Sequence, residues 1–280
     1  MTKPDQPLDG VRVVDLSRLF PGPMCSWYLR GLGAEVIKVE DPVRGDYLRT
    51  IPPLGPDGMG VWFSAINAGC RSVALDLKTA EGRDAAWALL ETADVLLEGF
   101  RPGVMERMGF APASLQRRLP GLVIASISGF GQGGAYAELP GHDLGYVGLA
   151  GGLSLAARPE GVPVVPGLQM ADMAGGALTA ALRITAALLL RTRTGQGSWL
   201  DISMTEGVLP MMVPALAQAA HDRVAPAPGG GPLAGGLPSY RVYRCRDGRM
   251  VAVAAVEDHF QQRLADGLGL RRPLTEASLE

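Results

Sequence analysis

A chain of 280 residues with 47% hydrophobic side chains is long enough for one large domain and part of a second, with a sizeable core. Its net charge of −2 leaves no basic field for nucleic acid or an anionic membrane, although a local Arg/Lys cluster suffices for a small anion. The cysteines, Cys25, Cys70 and Cys245, are scattered, with no CxxC and no His at ligand spacing, so free thiols and no metal site are expected.

The polar start MTKPDQPLDG lacks the apolar core of a signal peptide, and a cytoplasmic location is expected. VRVVDLS (11–17) is a short apolar run ending at a PGP turn. MCSWYLRGLG (24–33) reads as a helix closed by Gly33, and AEVIKVE (34–40) as a second buried strand. Such a βαβ unit implies a parallel sheet with a right-handed crossover. The pattern repeats: SVALDL (72–77) is a strand, EGRDAAWALLETA (81–93) an amphipathic helix, and DVLLEGF (94–100) and LVIASISGF (122–130) are strands. A long apolar helix runs from Asp172 to about Arg191, and SWLDISM (198–204) is again a strand. Part of that helix, 174–190, is barely long enough to span a membrane. Its central Arg183 costs roughly 2.5–3.5 kcal/mol there, so a buried domain helix is expected. PAPGGGPLAGGLP (226–238) reads as a linker, and SYRVYRCRDGRMVAVAAV as a hairpin around Asp247-Gly248 followed by a helix. The expected division is a large domain over 1–205, a linker over 206–238 and the start of a small domain over 239–280.

The first βα turn, SRLFPGPMC, is not GxGxxG, which argues against a dinucleotide site although Glu40 at the second strand's end would suit one. His142 in GHDLGY follows a Gly-rich loop, GFGQGG (129–134). An imidazole there reads either as a general acid/base or as a structurally satisfied side chain. Asp172 in GLQMADMAGG has two readings. It is a helix cap worth about 0.5–2 kcal/mol, or a catalytic carboxylate whose pKa burial raises and the helix dipole lowers. Gly175 and Gly176 permit close approach of a ligand or a neighbouring helix. Glu257 in AVEDHF reads first as a helix cap. Lys38, Arg71 and Arg101 lie at strand edges or in loops where a phosphate could be gripped, although each alone reads more simply as a solvated charge.

Taken together, LDGVRVVDLS, the PGP turn, GAEVIKVE, SVALDLK, DVLLEGFRPGVMERMG, SGFGQGG, GHDLGY, ADMAGG, RTRTGQG and YRCRDGRMVAVAAVE resemble the family III CoA-transferases (CaiB/BaiF type). That group includes α-methylacyl-CoA racemase. The resemblance covers nearly the whole chain, in the family's order. It implies an open Rossmann-like parallel sheet in a large CoA-binding α/β domain, a smaller α+β domain, and an interlocked homodimer. Transferases of the family use an Asp at the position of Asp172 as nucleophile, passing through a mixed anhydride and an aspartyl-CoA thioester. Racemases carry the GHD histidine, the same Asp and a Glu after the hairpin, here His142, Asp172 and Glu257.

The resemblance therefore points to the racemase branch, inverting the α-carbon of 2-methylacyl-CoA thioesters by two-base proton transfer. Glu257, from the partner subunit, would orient and charge-balance His142. CoA would enter as part of the substrate, contacted by Lys38, Arg71, Arg101 and Gly131, with no prosthetic group. The alternatives are a CoA-transferase acting through Asp172 and a non-catalytic, truncated acyl-CoA-binding relative. The chain departs from the family at Cys70, where a Lys is usual, and at Asp41, where a basic residue is common. It also stops at TEASLE, inside the expected small domain.

Overall fold

The short apolar runs separated by amphipathic helices build a parallel sheet. The computed structural model describes residues 6–156, 162–271 and 274, so the final TEASLE (275–280) lies outside the described residues. The chain divides into two compact units, residues 1–146 with 168–208, and residues 147–167 with 209–280.

In the first unit β1 (Arg12–Asp15) leads into α1 (Pro21–Gly31) and β2 (Glu35–Glu40). Helix α1 begins three residues earlier than its apolar pattern suggests. The PGP prolines stand in its first turn, where a missing N–H costs nothing. Then follow α2 (Val61–Asn67), β3 (Arg71–Ala74), α3 (Ala80–Leu90), β4 (Val95–Glu98), α4 (Val104–Arg107), α5 (Pro112–Arg118), β5 (Val123–Ser128) and α6 (Asp143–Leu149). The helix expected from Asp172 is present, but its first part, Ala171–Leu178, is wound as a π-helix. It continues as α8 (Thr179–Thr194) to β6 (Trp199–Ser203).

The six strands are all parallel, in the order β3-β2-β1-β4-β5-β6. The direction of sheet growth reverses between β1 and β4, and open α/β sheets bind ligands outside the carboxyl ends of strands at such a point. The central strands β4 and β5 are buried at every position, as strands with both faces covered must be. One face buries Val14, Leu96 and Ile124 against Leu90, Met105 and Leu115 from the helices and Phe110 from the loop between α4 and α5. Each such side chain contributes roughly 1.5–3 kcal/mol by leaving water. On the other face α8 buries Ala180, Ile184, Ala187 and Leu188.

The second unit contains α7 (Gly152–Leu155), α9 (Val213–Asp222), an antiparallel pair of β7 (Tyr240–Arg244) and β8 (Met250–Ala254), and α10 (Asp258–Leu268). The Asp247-Gly248 turn closes that hairpin, with Gly248 at φ +84° as the turn requires. Residues 226–238 form turns without regular structure.

Candidate active site

The site begins with the turn after β1. Asp15 is fully buried, and its carboxylate accepts hydrogen bonds from the Ser17 backbone N–H (2.7 Å), the Ser17 hydroxyl and the Ser26 hydroxyl (2.7 Å). A nucleotide-binding turn offers such donors to a phosphate, whereas here a carboxylate of the protein takes them. Lys38 reinforces the turn from beneath. It is 1% exposed, donates to the Ser17 carbonyl at 2.8 Å and pairs with Asp46 at 3.0 Å. Its ammonium is therefore occupied by the protein, and it does not face the cavity described below, contrary to its expected role as a CoA contact. What the turn presents instead is Arg18. Its guanidinium lies over the rings of Tyr47 (4.9 Å) and Phe100 (5.4 Å), and Nη1 donates to the Tyr47 hydroxyl at 3.0 Å.

A cavity of about 470 Å³ opens at the carboxyl ends of β1, β4, β5 and β6, wholly within the first unit. Arg18, Arg101, His142, Tyr146, Asp172 and Met204 are among its lining residues. His142 and Asp172 reach it from segments that one hydrogen bond joins: the Asp172 backbone N–H donates to Asp143 Oδ1 at 2.9 Å. Burial raises the Asp172 carboxyl from 3.8 to about 6, the nearby Asp143 charge adds to the rise, and His142 opposes it. The carboxyl thus changes protonation near neutral pH, where a proton-transfer group is most effective.

Asp172 stands in the first turn of the π-helix, a winding often found at functional sites. The glycines behind it are there for packing. A methyl on Gly175 would lie 2.5 Å from the Met204 carbonyl oxygen, and one on Gly176 3.0 Å from the Met204 side chain and 3.2 Å from Pro21. Of the two partners the sequence left open for these glycines, the neighbouring chain is the one observed.

The wall formed by Gly99–Pro102 is pinned from below by Glu98. That carboxylate is 2% exposed, accepts from the Phe100 N–H at 2.8 Å and bonds to the Ser126 side chain. Burial lifts it from 4.5 to about 7, aided by Glu106 and Asp201 and opposed by the hydrogen bonds.

Of the residues singled out in the sequence, the structure brings His142, Asp172 and Arg101 to one cavity. Gly131 is not among its lining residues. At φ +84° it turns the loop so that the Gln132 N–H reaches both oxygens of Asp201, at 3.1 and 3.0 Å. Arg71 is the first residue of β3 and pairs with Glu35 at 2.7 Å, at the amino ends of the strands and away from the cavity. Glu257 belongs to the second unit. It occupies the N-cap position of α10, but its side chain makes no capping bond and is exposed. Sequence reasoning missed Arg18, Glu98, Asp143 and Tyr146. The only available signal was spacing: Tyr146 stands one helical turn beyond His142, and Asp143 beside it.

The strand order, with a cavity at the strands' carboxyl ends beside the topological switch, defines an open α/β fold. Comparison with known proteins narrows this. The family model described as CoA-transferase family III matches residues 8–279. The chain belongs to that family. It is 41% identical to human alpha-methylacyl-CoA racemase over 265 residues, covering 94% of this chain and 65% of the relative. It is 37% identical to acetyl-CoA:oxalate CoA-transferase of Acetobacter aceti over 268 residues, covering 95% and 68%. Among solved structures, a CAIB/BAIF family protein from Brucella suis superposes with a TM-score of 0.85 at 33% identity, covering 95% of this chain and 70% of that one. The chain thus spans about two thirds of the length of these relatives.

Proposed function

We propose that the chain is an acyl-CoA racemase that inverts the α-carbon of 2-methyl-branched acyl-CoA thioesters. The observation that carries this reading is the presence of His142 and Asp172 on one cavity, with the Asp172 carboxyl raised to about 6. A thioester α-proton is too weakly acidic to leave unaided. One side chain removes it as the C–H electron pair moves into an enolate, and the other returns a proton to the opposite face. Arg18 and Arg101 supply cationic groups at the same cavity for the CoA phosphates. In this reading the protein works in the cytoplasm as an interlocked homodimer, Glu257 of one subunit serves His142 of the other, and no prosthetic group takes part.

The second reading is a CoA-transferase in which Asp172 attacks the thioester carbonyl. It is favoured by the 37% identity to the Acetobacter transferase.

Proton NMR of both epimers of a 2-methylacyl-CoA in heavy water separates the two. Racemisation washes out the α-proton from either epimer, and His142→Ala and Asp172→Ala each lose roughly 10²–10⁴-fold in rate. Hydroxylamine capture of an acyl group at Asp172, with no deuterium at the α-carbon, would establish transfer instead. Thioester binding with neither reaction would leave a binding protein.

A further inference from the structure

Tyr146 is a polar side chain at the cavity that two-base proton transfer leaves without a task. It is 6% exposed and lines the cavity with His142 and Asp172. Among the described residues its hydroxyl takes no hydrogen-bond partner, and it is not sealed off from the cavity. Open to the cavity, the hydroxyl is free to donate to an acceptor that enters it.

The surroundings hold the ring in place. Phe130 packs edge-on against it, with centroids 5.2 Å apart and planes at 84°. Gly129 and Gly141 flank it so closely that a methyl at either would lie 2.6 or 2.5 Å from Cε1. The Tyr146 backbone N–H donates to the His142 carbonyl at 3.2 Å, which ties the phenol to the imidazole's segment. Burial and the Asp172 charge raise the phenol above its usual range, so it stays neutral and able to donate. The Asp172 backbone N–H, by contrast, is already held by Asp143.

We propose that the Tyr146 hydroxyl is a catalytic hydrogen-bond donor to the thioester oxygen as that oxygen takes up the enolate charge. The assignment rests on the racemase reading and deepens it. When the base takes the α-proton, the C–H pair forms the C=C bond and the carbonyl π pair moves onto oxygen. Tyr146 holds that oxygen without giving up its proton, and reprotonation at carbon restores the carbonyl.

The test compares wild type with Tyr146→Phe, measuring α-proton exchange from both epimers together with the dissociation constant of the thioester. Exchange slowed roughly 10²–10³-fold in both directions, with binding changed by less than about threefold, supports the assignment. Exchange within about threefold of wild type overturns it. Fluorotyrosine at position 146 keeps the ring and its packing. The alkaline limb of the pH–rate profile should then move down in step with phenol acidity, and an unmoved limb also overturns the assignment. Absence of exchange in wild type removes the racemase reading itself, a result distinct from a silent Tyr146→Phe.

Discussion

Replacing Asp172 by asparagine should make the protein more stable at alkaline pH, although it removes a group proposed for catalysis. The carboxyl titrates at 3.8 in its ordinary state and at about 6 in the folded protein. Between those values the folded chain holds a proton that the unfolded chain has released, so stability falls as pH rises through this window and levels off above it. A rise of about 2 units corresponds to a ceiling of about 3 kcal/mol, and the partial exposure of the side chain brings the expected penalty to about 1–2 kcal/mol. Asparagine has nearly the same shape, carries no charge, and leaves the backbone bond to Asp143 in place. All four tryptophans (Trp27, Trp62, Trp87 and Trp199) lie in the unit that contains the site, so tryptophan fluorescence during urea unfolding reports that unit. The advantage of Asp172→Asn should be larger at pH 8 than at pH 5 by roughly 1 kcal/mol. An equal advantage at both values, or a wild type more stable at pH 8, would refute the argument that Asp172 is charged at a cost.

Glu98→Gln should act in the same direction at a higher pH. Its carboxyl is raised from 4.5 to about 7, so wild-type stability falls as pH rises through that interval, and glutamine should flatten the fall while still accepting the Phe100 N–H. Gly207→Ala would push a methyl into the Gly175 carbonyl, which backs the Asp172 helix. A loss of about 2 kcal/mol or more in unfolding free energy is expected, and an unchanged melting temperature would show that the helix can shift freely. Arg18→Ala should weaken acyl-CoA binding roughly tenfold in titration calorimetry, with reduced salt dependence, and equal salt slopes in both proteins would count against a phosphate contact.

The alternation of apolar strands and amphipathic helices made the parallel sheet legible, because strands buried on both faces leave continuous runs such as LVIASIS. His142 and Asp172 were legible as candidates because each is an ionisable residue set among glycines and apolar neighbours. The support beneath them was not. Asp143 meets the Asp172 backbone across 29 residues, a separation to which no local period applies. The π-helix escaped notice because ADMAGGAL has too little contrast between polar and apolar positions to fix a helical phase. Lys38 misled for a related reason. Within EVIKVE it looks like a polar position available to a ligand, and only Asp46, in a loop without periodicity, reveals that its charge is already neutralised. Arg71 misled because sequence shows that a strand is near but not which end of it faces the cavity.

Four carboxylates of the first unit fall into two kinds, and the fully buried Asp15, held by serine donors, stands apart from both. Asp46 has Lys38 at 3.0 Å, and Glu40 has Arg49 at 2.6 Å. Despite burial, the Arg49 and Ser72 side chains hold Glu40 down at about 2. These pairs hold the turns after β1 and β2 in place. Glu98, buried, and Asp172, partly buried, sit at the other kind of position, without a bonded cation, and both are pushed towards neutrality. A fold under selection for stability alone would replace such an acid, give it a cation, or surround it with donors as it does Asp15. Keeping one beside the cavity and one directly on it is the pattern expected where proton transfer depends on a carboxyl that can exist in both states.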